Sequence, residues 1–201
     1  MLRSDVTLFL AKKAGAILSG RGLPLRVWYA DTILRHQDAE DISKNEFFQA
    51  GAELIGLPGA FADLEALCLL VRSMETAGLR AYRIHLGSRG VFDAVFGGLP
   101  EERRMDLLAA VSLRNGGLLR RLLAGMGEAP ERTEFLVRFF LYIGDPAGFA
   151  KLSREGAAAG HLPPDAEAPA AHLVGLWAEL EKIGYRDRKS TRLNSSHVSQ
   201  S

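Results

Sequence analysis

The sequence predicts an α+β fold in which a long antiparallel hairpin with flanking helices is followed by a segment that is helical throughout. Three observations carry this. Residues 25–56 hold two runs rich in β-branched and aromatic residues around a polar stretch, which is the pattern of paired strands. On either side of them apolar residues recur near the 3.6-residue period of an amphipathic helix. From Pro100 to Gly184 only that helical period is found, interrupted by Gly and Pro. Of the 201 residues 47% are hydrophobic, enough for a buried core, and the single cysteine excludes a disulfide framework. With 25 Lys+Arg against 24 Asp+Glu there is no global charge to draw the chain to nucleic acid. Neither a run of about 18 apolar residues nor the ordered regions of a signal peptide are found, so a cytoplasmic protein is expected.

Taken in order, SDVTLFLAKKAGAILSG (4–20) places Val6, Leu8, Phe9, Leu10, Ala14, Ile17 and Leu18 on a helical period, with Ser4 as a cap and Gly20 as a stop. After the Gly-Leu-Pro break at 22–24, LRVWYAD and TILRHQ (25–37) read as one strand that bends and continues. The polar loop 38–45 leads to a second strand, EFFQAGAELIG (46–56). Residues 60–78 predict a helix ending at Gly78, RAYRIHLG (80–87) a strand, and 88–98 a helix capped by Ser88. Further helices are predicted at 101–111, 115–126, 131–141, 146–159 and 170–183. The final stretch, DRKSTRLNSSHVSQS (187–201), has no period on which a core could form. It resembles the in-frame translation of a sequencing-library adapter, and is expected to be a non-native tail that follows a native chain cut at Tyr185 or Arg186.

The chemistry is concentrated in the hairpin. Side chains alternate along a strand, so Phe47, Gln49, Gly51, Glu53 and Ile55 share one face while Phe48, Ala50, Ala52 and Leu54 share the other, which is expected to be core. The first face sets an amide and a carboxylate on either side of a glycine that leaves space above the sheet. Ile33, Arg35 and Gln37 share a face of the partner strand, and a suitable register would bring Arg35 opposite the Gln49/Glu53 row. Two readings stay open on these residues alone. Arg, Gln and Glu converging over a glycine suit a zwitterionic amino acid, the guanidinium taking the α-carboxylate and the other two an ammonium or ring N–H. An Arg–Glu pair that merely closes a hairpin uses the same residues.

The blocks LRSDVT (2–7), RVWYADTILRHQ (26–37) and FFQAGAELIG (47–56), in that order, resemble the class II catalytic core of histidyl-tRNA synthetases. There the corresponding blocks have the form LRPE-T, a motif 2 strand ending in an FRHE-like turn, and FHQ-G-E-G. Residues 62–92 are similar to that core's helix–strand–helix continuation. The resemblance implies a partial class II synthetase-like core over 1–98, with its motif 2 hairpin at 25–56, and a helical continuation of the same domain over 99–186. Carried over by position, it implies a histidine-like pocket in which Asp5 and Thr7 hold the amino-acid ammonium, Arg35 is the motif 2 arginine, and Gln49 and Glu53 contact the bound histidine. Ser4 stands for the family's usual Pro and Asp5 for its Glu. Gln37 replaces the glutamate that meets ATP, and Asp38, Glu40, Asp41 and Glu46 against Lys44 make the following loop acidic, a poor surface for phosphates.

Residues 91–123 resemble the synthetase-like regulatory subunits of ATP phosphoribosyltransferase. What that resemblance implies is a non-catalytic subunit that keeps the histidine pocket and has lost aminoacylation. Its partners would be the short catalytic subunit of the transferase, which it activates, and histidine, whose feedback inhibition it transmits. The expected assembly is a homodimer within a hetero-oligomer, with no cofactor, nucleic acid or membrane. The upstream motif 1, the downstream histidine signature and motif 3 of that family are not among these 201 residues. A histidine-tRNA ligase fragment is the alternative, and an unrelated helical module would be supported by residues 25–56 being helical or by Arg35 and Glu53 pointing to opposite sides of the hairpin. His36, His161 and His172 fall at no metal-ligand spacing, His85, alternating with Ile84 and Leu86, is expected to face outward or be hydrogen-bonded, and Cys68 is expected in the core. GSRG (87–90) and RNGG (114–117) read as a helix start and a turn rather than as phosphate loops. Arg103, Arg104, Arg120 and Arg121 read as a solvated helix face or, alternatively, a partner contact.

Overall fold

A computed structural model describes residues 6–20, 22–34, 46–79 and 82–184. By packing, the chain divides after Ser73 into two compact units, each described by itself.

The first unit is built on the hairpin. Strands β1 (Leu25–Leu34) and β2 (Glu46–Ile55) pair antiparallel over their full length, from Leu25 opposite Ile55 to Leu34 opposite Glu46. Helix α1 (Val6–Leu18) precedes them, with Val6 buried. Helix α2 (Ala60–Thr76) follows and carries the division between the units. It stops at Gly78, whose φ of +78° continues the chain in a conformation that costs glycine nothing. Arg26 on β1 and Glu65 on α2 form a two-point ion pair, the second hydrogen bond running from Arg26 Nη2 to Glu65 Oε2 at 2.7 Å. The guanidinium, first by hydrogen bonding and then by its charge, holds the Glu65 carboxyl below the ordinary carboxylate range despite the opposing cost of desolvation.

Which face of the hairpin is covered reverses the expectation. Phe48 is 71% exposed, and Ala50 and Ala52 are also exposed, so the face expected to be core is the open one. The row Phe47, Gln49, Gly51 and Glu53 is half-buried, and Ile33 on the same side of β1 is fully buried. Alternation makes two faces without ranking them; here α1 lies against the row that carries the polar residues.

The second unit is helical: α3 (Arg89–Phe96), α4 (Glu101–Ser112), α5 (Gly116–Gly125), α6 (Pro130–Phe140), α7 (Pro146–Ala158) and α8 (Glu167–Lys182), the last preceded by a single 3-10 turn at Pro164–Ala166. Helix α3, grouped with the first half on sequence texture, buries Val91, Phe92 and Phe96 in the core of this unit with Leu107, Leu119, Leu123 and Leu136. Burying leucines of this kind contributes about 1.5–3 kcal/mol each. An aromatic chain runs through the same core: Phe92 meets Phe96 at 5.0 Å between ring centroids, Phe96 meets Phe140 at 5.2 Å, and Phe139 meets Phe149 at 5.3 Å, all within the range in which ring pairs attract.

Residues 82–88 are not a strand. Their burial alternates, as the sequence pattern requires, but a ladder needs a second extended segment, and the other described elements of this unit are helices. Cys68 is half-buried rather than enclosed. GSRG starts a helix, as expected, Ser88 Oγ accepting from the Val91 N–H, while RNGG holds both the expected turn, at a left-handed Arg114, and the start of α5, where Asn115 Oδ1 accepts from the Leu118 N–H at 2.9 Å. Asn115→Ala removes that cap and is expected to lower stability by about 1 kcal/mol, measured as a shift of the urea midpoint of the full chain. An unchanged midpoint would mean that the capping bond contributes nothing to α5.

Candidate functional site

The row on β2 is held from two other elements. Thr7, one residue into α1, sets its Oγ1 2.7 Å from Glu53 Oε1 and 3.3 Å from the Tyr29 hydroxyl. Tyr29 sits on β1 directly opposite Gly51, and its phenol folds across the ladder onto that glycine. A Cβ at position 51 would stand 2.4 Å from the Tyr29 hydroxyl and 2.5 Å from Cζ. Space above the sheet at Gly51 is therefore real, and an aromatic edge fills part of it.

Gln49, two residues before Gly51 on the same face, has its Oε1 buried and without a partner among the described residues. An unmade hydrogen bond on a buried amide costs about 1–3 kcal/mol, so this oxygen is a position at which a donor stabilises the structure. At the other end of the row Glu53 Oε2 takes no bond from a described residue, while Oε1 accepts from Thr7. The row thus offers two acceptors flanking a glycine floor. Its fit is to a small molecule bearing N–H donors at both ends, as an ammonium or ring N–H provides.

Of the residues expected at the pocket, Thr7, Gln49 and Glu53 lie on this one face, with Thr7 and Glu53 in direct contact. Asp5 and Arg35 fall outside the described residues, as do Gln37 and the acidic residues 38, 40 and 41. The positions opposite Gln49 and Glu53 on β1 are Asp31 and Val27. Tyr29 was missed. A register fixed by the hairpin would have revealed it, because an aromatic residue opposite a strand glycine regularly packs over it.

The remaining singled-out residues are accounted for locally. No group of three or more His, Cys, Asp or Glu is arranged for a metal among the described residues. His161 packs on Phe135 at 5.1 Å, and His85 is exposed. Arg120 is committed to Glu134, with Nη2 2.8 Å from Oε2, whereas Arg103 and Arg121 are exposed and Arg104 is half-buried. No helix among the described residues is long and apolar enough to cross a membrane.

Hairpin, flanking helices and the Gln-Gly-Glu row together define a class II aminoacyl-tRNA synthetase-like domain, of mixed α+β type. The histidyl-tRNA synthetase family model matches residues 1–194, and the chain belongs to that family. A curated relative, the ATP phosphoribosyltransferase regulatory subunit of Symbiobacterium thermophilum, is 35% identical over 147 residues, which is 69% of this chain and 36% of that protein. Other curated relatives of the same name are 30% to 41% identical. The chain spans from a quarter to about half of the length of these relatives. Among solved structures, histidyl-tRNA synthetase from Nostoc sp. PCC 7120 matches 92% of this chain and 43% of its own, with a TM-score of 0.74 at 16% identity. A chain of the ATP phosphoribosyl transferase complex from Thermotoga maritima matches 91% of this chain and 61% of its own, with a TM-score of 0.60 at 17% identity. At such identities the likeness is one of fold.

Proposed function

We propose that this chain is part of a regulatory subunit of ATP phosphoribosyltransferase, working in the first step of histidine biosynthesis. The observation that carries the reading is the shared name of the curated relatives at 30% to 41% identity. The site supports it from the side of chemistry: a buried, unpartnered Gln49 oxygen and a half-committed Glu53 carboxylate on one face suit a histidine. In this reading Asp5, Thr7, Arg35, Gln49 and Glu53 form the amino-acid pocket of a cytoplasmic, non-catalytic subunit. Its partner is the short catalytic subunit, which it activates, in a hetero-oligomer containing a homodimer of this protein. Histidine acts by linkage, and can shift the complex only by its difference in affinity for the two states. In domain terms, 1–98 and 99–186 are two stretches of one synthetase-like domain, and 187–201 are foreign to it.

A second reading, a fragment of a histidine-tRNA ligase, draws on the higher TM-score of the Nostoc synthetase. Gln37 in place of glutamate and the acidic loop beyond it weigh against ATP binding. The two separate in one experiment on the full-length protein. Histidine-dependent ATP–pyrophosphate exchange is expected to be absent, and addition of the protein to the short catalytic subunit is expected to raise ATP phosphoribosyltransferase activity and make it histidine-sensitive. Exchange activity without activation of the transferase would overturn the regulatory reading in favour of the ligase.

A further inference from the structure

We propose that Tyr29 is a positioning residue of the pocket, acting through Thr7 to fix which oxygen of Glu53 is left for the ligand; this rests on reading the row as a histidine site. A count of protons sets the direction of the contacts. A carboxylate can only accept, and a threonine hydroxyl has a single proton to give. Thr7 therefore donates to Glu53 Oε1 across 2.7 Å, and the 3.3 Å contact between the two hydroxyls has Tyr29 as its donor. The result is a one-way chain, Tyr29 to Thr7 to Glu53, that joins β1, α1 and β2.

Each link has a consequence. The Tyr29 donation stops the Thr7 hydroxyl from turning to give its proton elsewhere. Thr7 in turn occupies Oε1, leaving Oε2 as the oriented acceptor. Chained hydrogen bonds of this kind polarise and so strengthen one another. Gly51 is what allows the arrangement, because any Cβ there would stand within 2.5 Å of the Tyr29 hydroxyl and Cζ and push the phenol off its place. The phenol also lies in the middle of the row, between Gln49 and Glu53, so the same ring that orients the carboxylate limits how deep a ligand can sit.

The test is titration calorimetry on the full-length protein with L-histidine and with β-(2-thienyl)alanine, which has a similar ring but no ring N–H. Wild-type protein is expected to prefer histidine. Tyr29→Phe is expected to weaken histidine by about tenfold while leaving thienylalanine unchanged, the size of one hydrogen bond's contribution, whereas Thr7→Val, which also removes an ammonium contact common to both amino acids, is expected to weaken both and histidine by about tenfold more. Thr7→Ser, which keeps the hydroxyl, is expected to retain the preference. If either hydroxyl variant fails to fold, as judged by thermal melting, the other breaks the same chain. Wild-type protein that does not bind histidine would reject the pocket reading and this assignment with it. Wild-type binding with the preference intact in Tyr29→Phe would overturn the role of Tyr29 alone. So would an equal loss of both ligands, which would make the ring a structural floor and nothing more.

Discussion

Glu53→Ala in the full-length protein is expected to weaken histidine binding by about 10- to 100-fold and to remove histidine sensitivity from the transferase complex. The size follows from the chemistry at stake. Hydrogen bonds to a charged group contribute about 1.5–3 kcal/mol each, and alanine at position 53 removes the carboxylate that an N–H of the ligand would meet. The fold should survive, because Glu53 is half-buried and its one described side-chain bond is to Thr7, while the β1–β2 ladder around it, Val27 opposite Glu53, is made by the backbone. Glu53→Gln separates charge from shape, since the amide keeps an acceptor oxygen in place but loses the negative charge, and an intermediate loss is expected. Calorimetry with histidine measures binding, and circular dichroism checks that the hairpin remains. Histidine sensitivity undiminished in Glu53→Ala would take the carboxylate out of the site and return it to the purely structural reading of the hairpin.

The same row shows how far the sequence could be read. Period 2 over 25–34 and 46–55 was enough to predict both strands, since paired β-rich runs around a polar stretch leave few alternatives. Gln49, Gly51 and Glu53 had to share a face once β2 was a strand. What alternation could not rank was which face α1 would cover, so Phe48 and Ala50, expected inside, stand outside. Tyr29 escaped because its importance lies in being opposite Gly51, a matter of register that a single strand does not contain. Residues 80–87 mark the converse limit: their pattern is that of a strand, but a strand exists only with a partner, and 82–88 have none among the described residues of their unit. In the helical unit Ser88 and the Gly/Pro breaks were legible because caps and stops act within a few residues of themselves, whereas RNGG, read as a turn, did not disclose that Asn115 also caps α5. The docking of α3 into that unit was not, since it depends on Phe92 and Phe96 finding Phe140, which is distant in sequence.

Glycine at two helical positions gives the sharpest test of that packing, because the same substitution should act with opposite signs. Alanine is favoured over glycine inside a helix by about 0.5–1 kcal/mol. Gly175 in α8 has open space where a Cβ would go, so Gly175→Ala is expected to stabilise the chain by that amount. Gly156 in α7 is buried, and a Cβ there would stand 2.1 Å from Phe135 Cζ and 3.0 Å from Leu162 Cδ1. The ring cannot swing clear at low cost: Phe135 is buried, stacked on Phe139 at 5.7 Å between centroids, and packed against His161. Overfilling a tight core costs about 1–3 kcal/mol, which outweighs the gain in helix propensity. Gly156→Ala is therefore expected to destabilise, by about 1–2 kcal/mol net of that gain. Urea midpoints of the two variants measured beside the parent decide it. Stabilisation by both would mean that α7 and Phe135 are held further apart than their packing implies, and that the aromatic core yields where it is expected to resist.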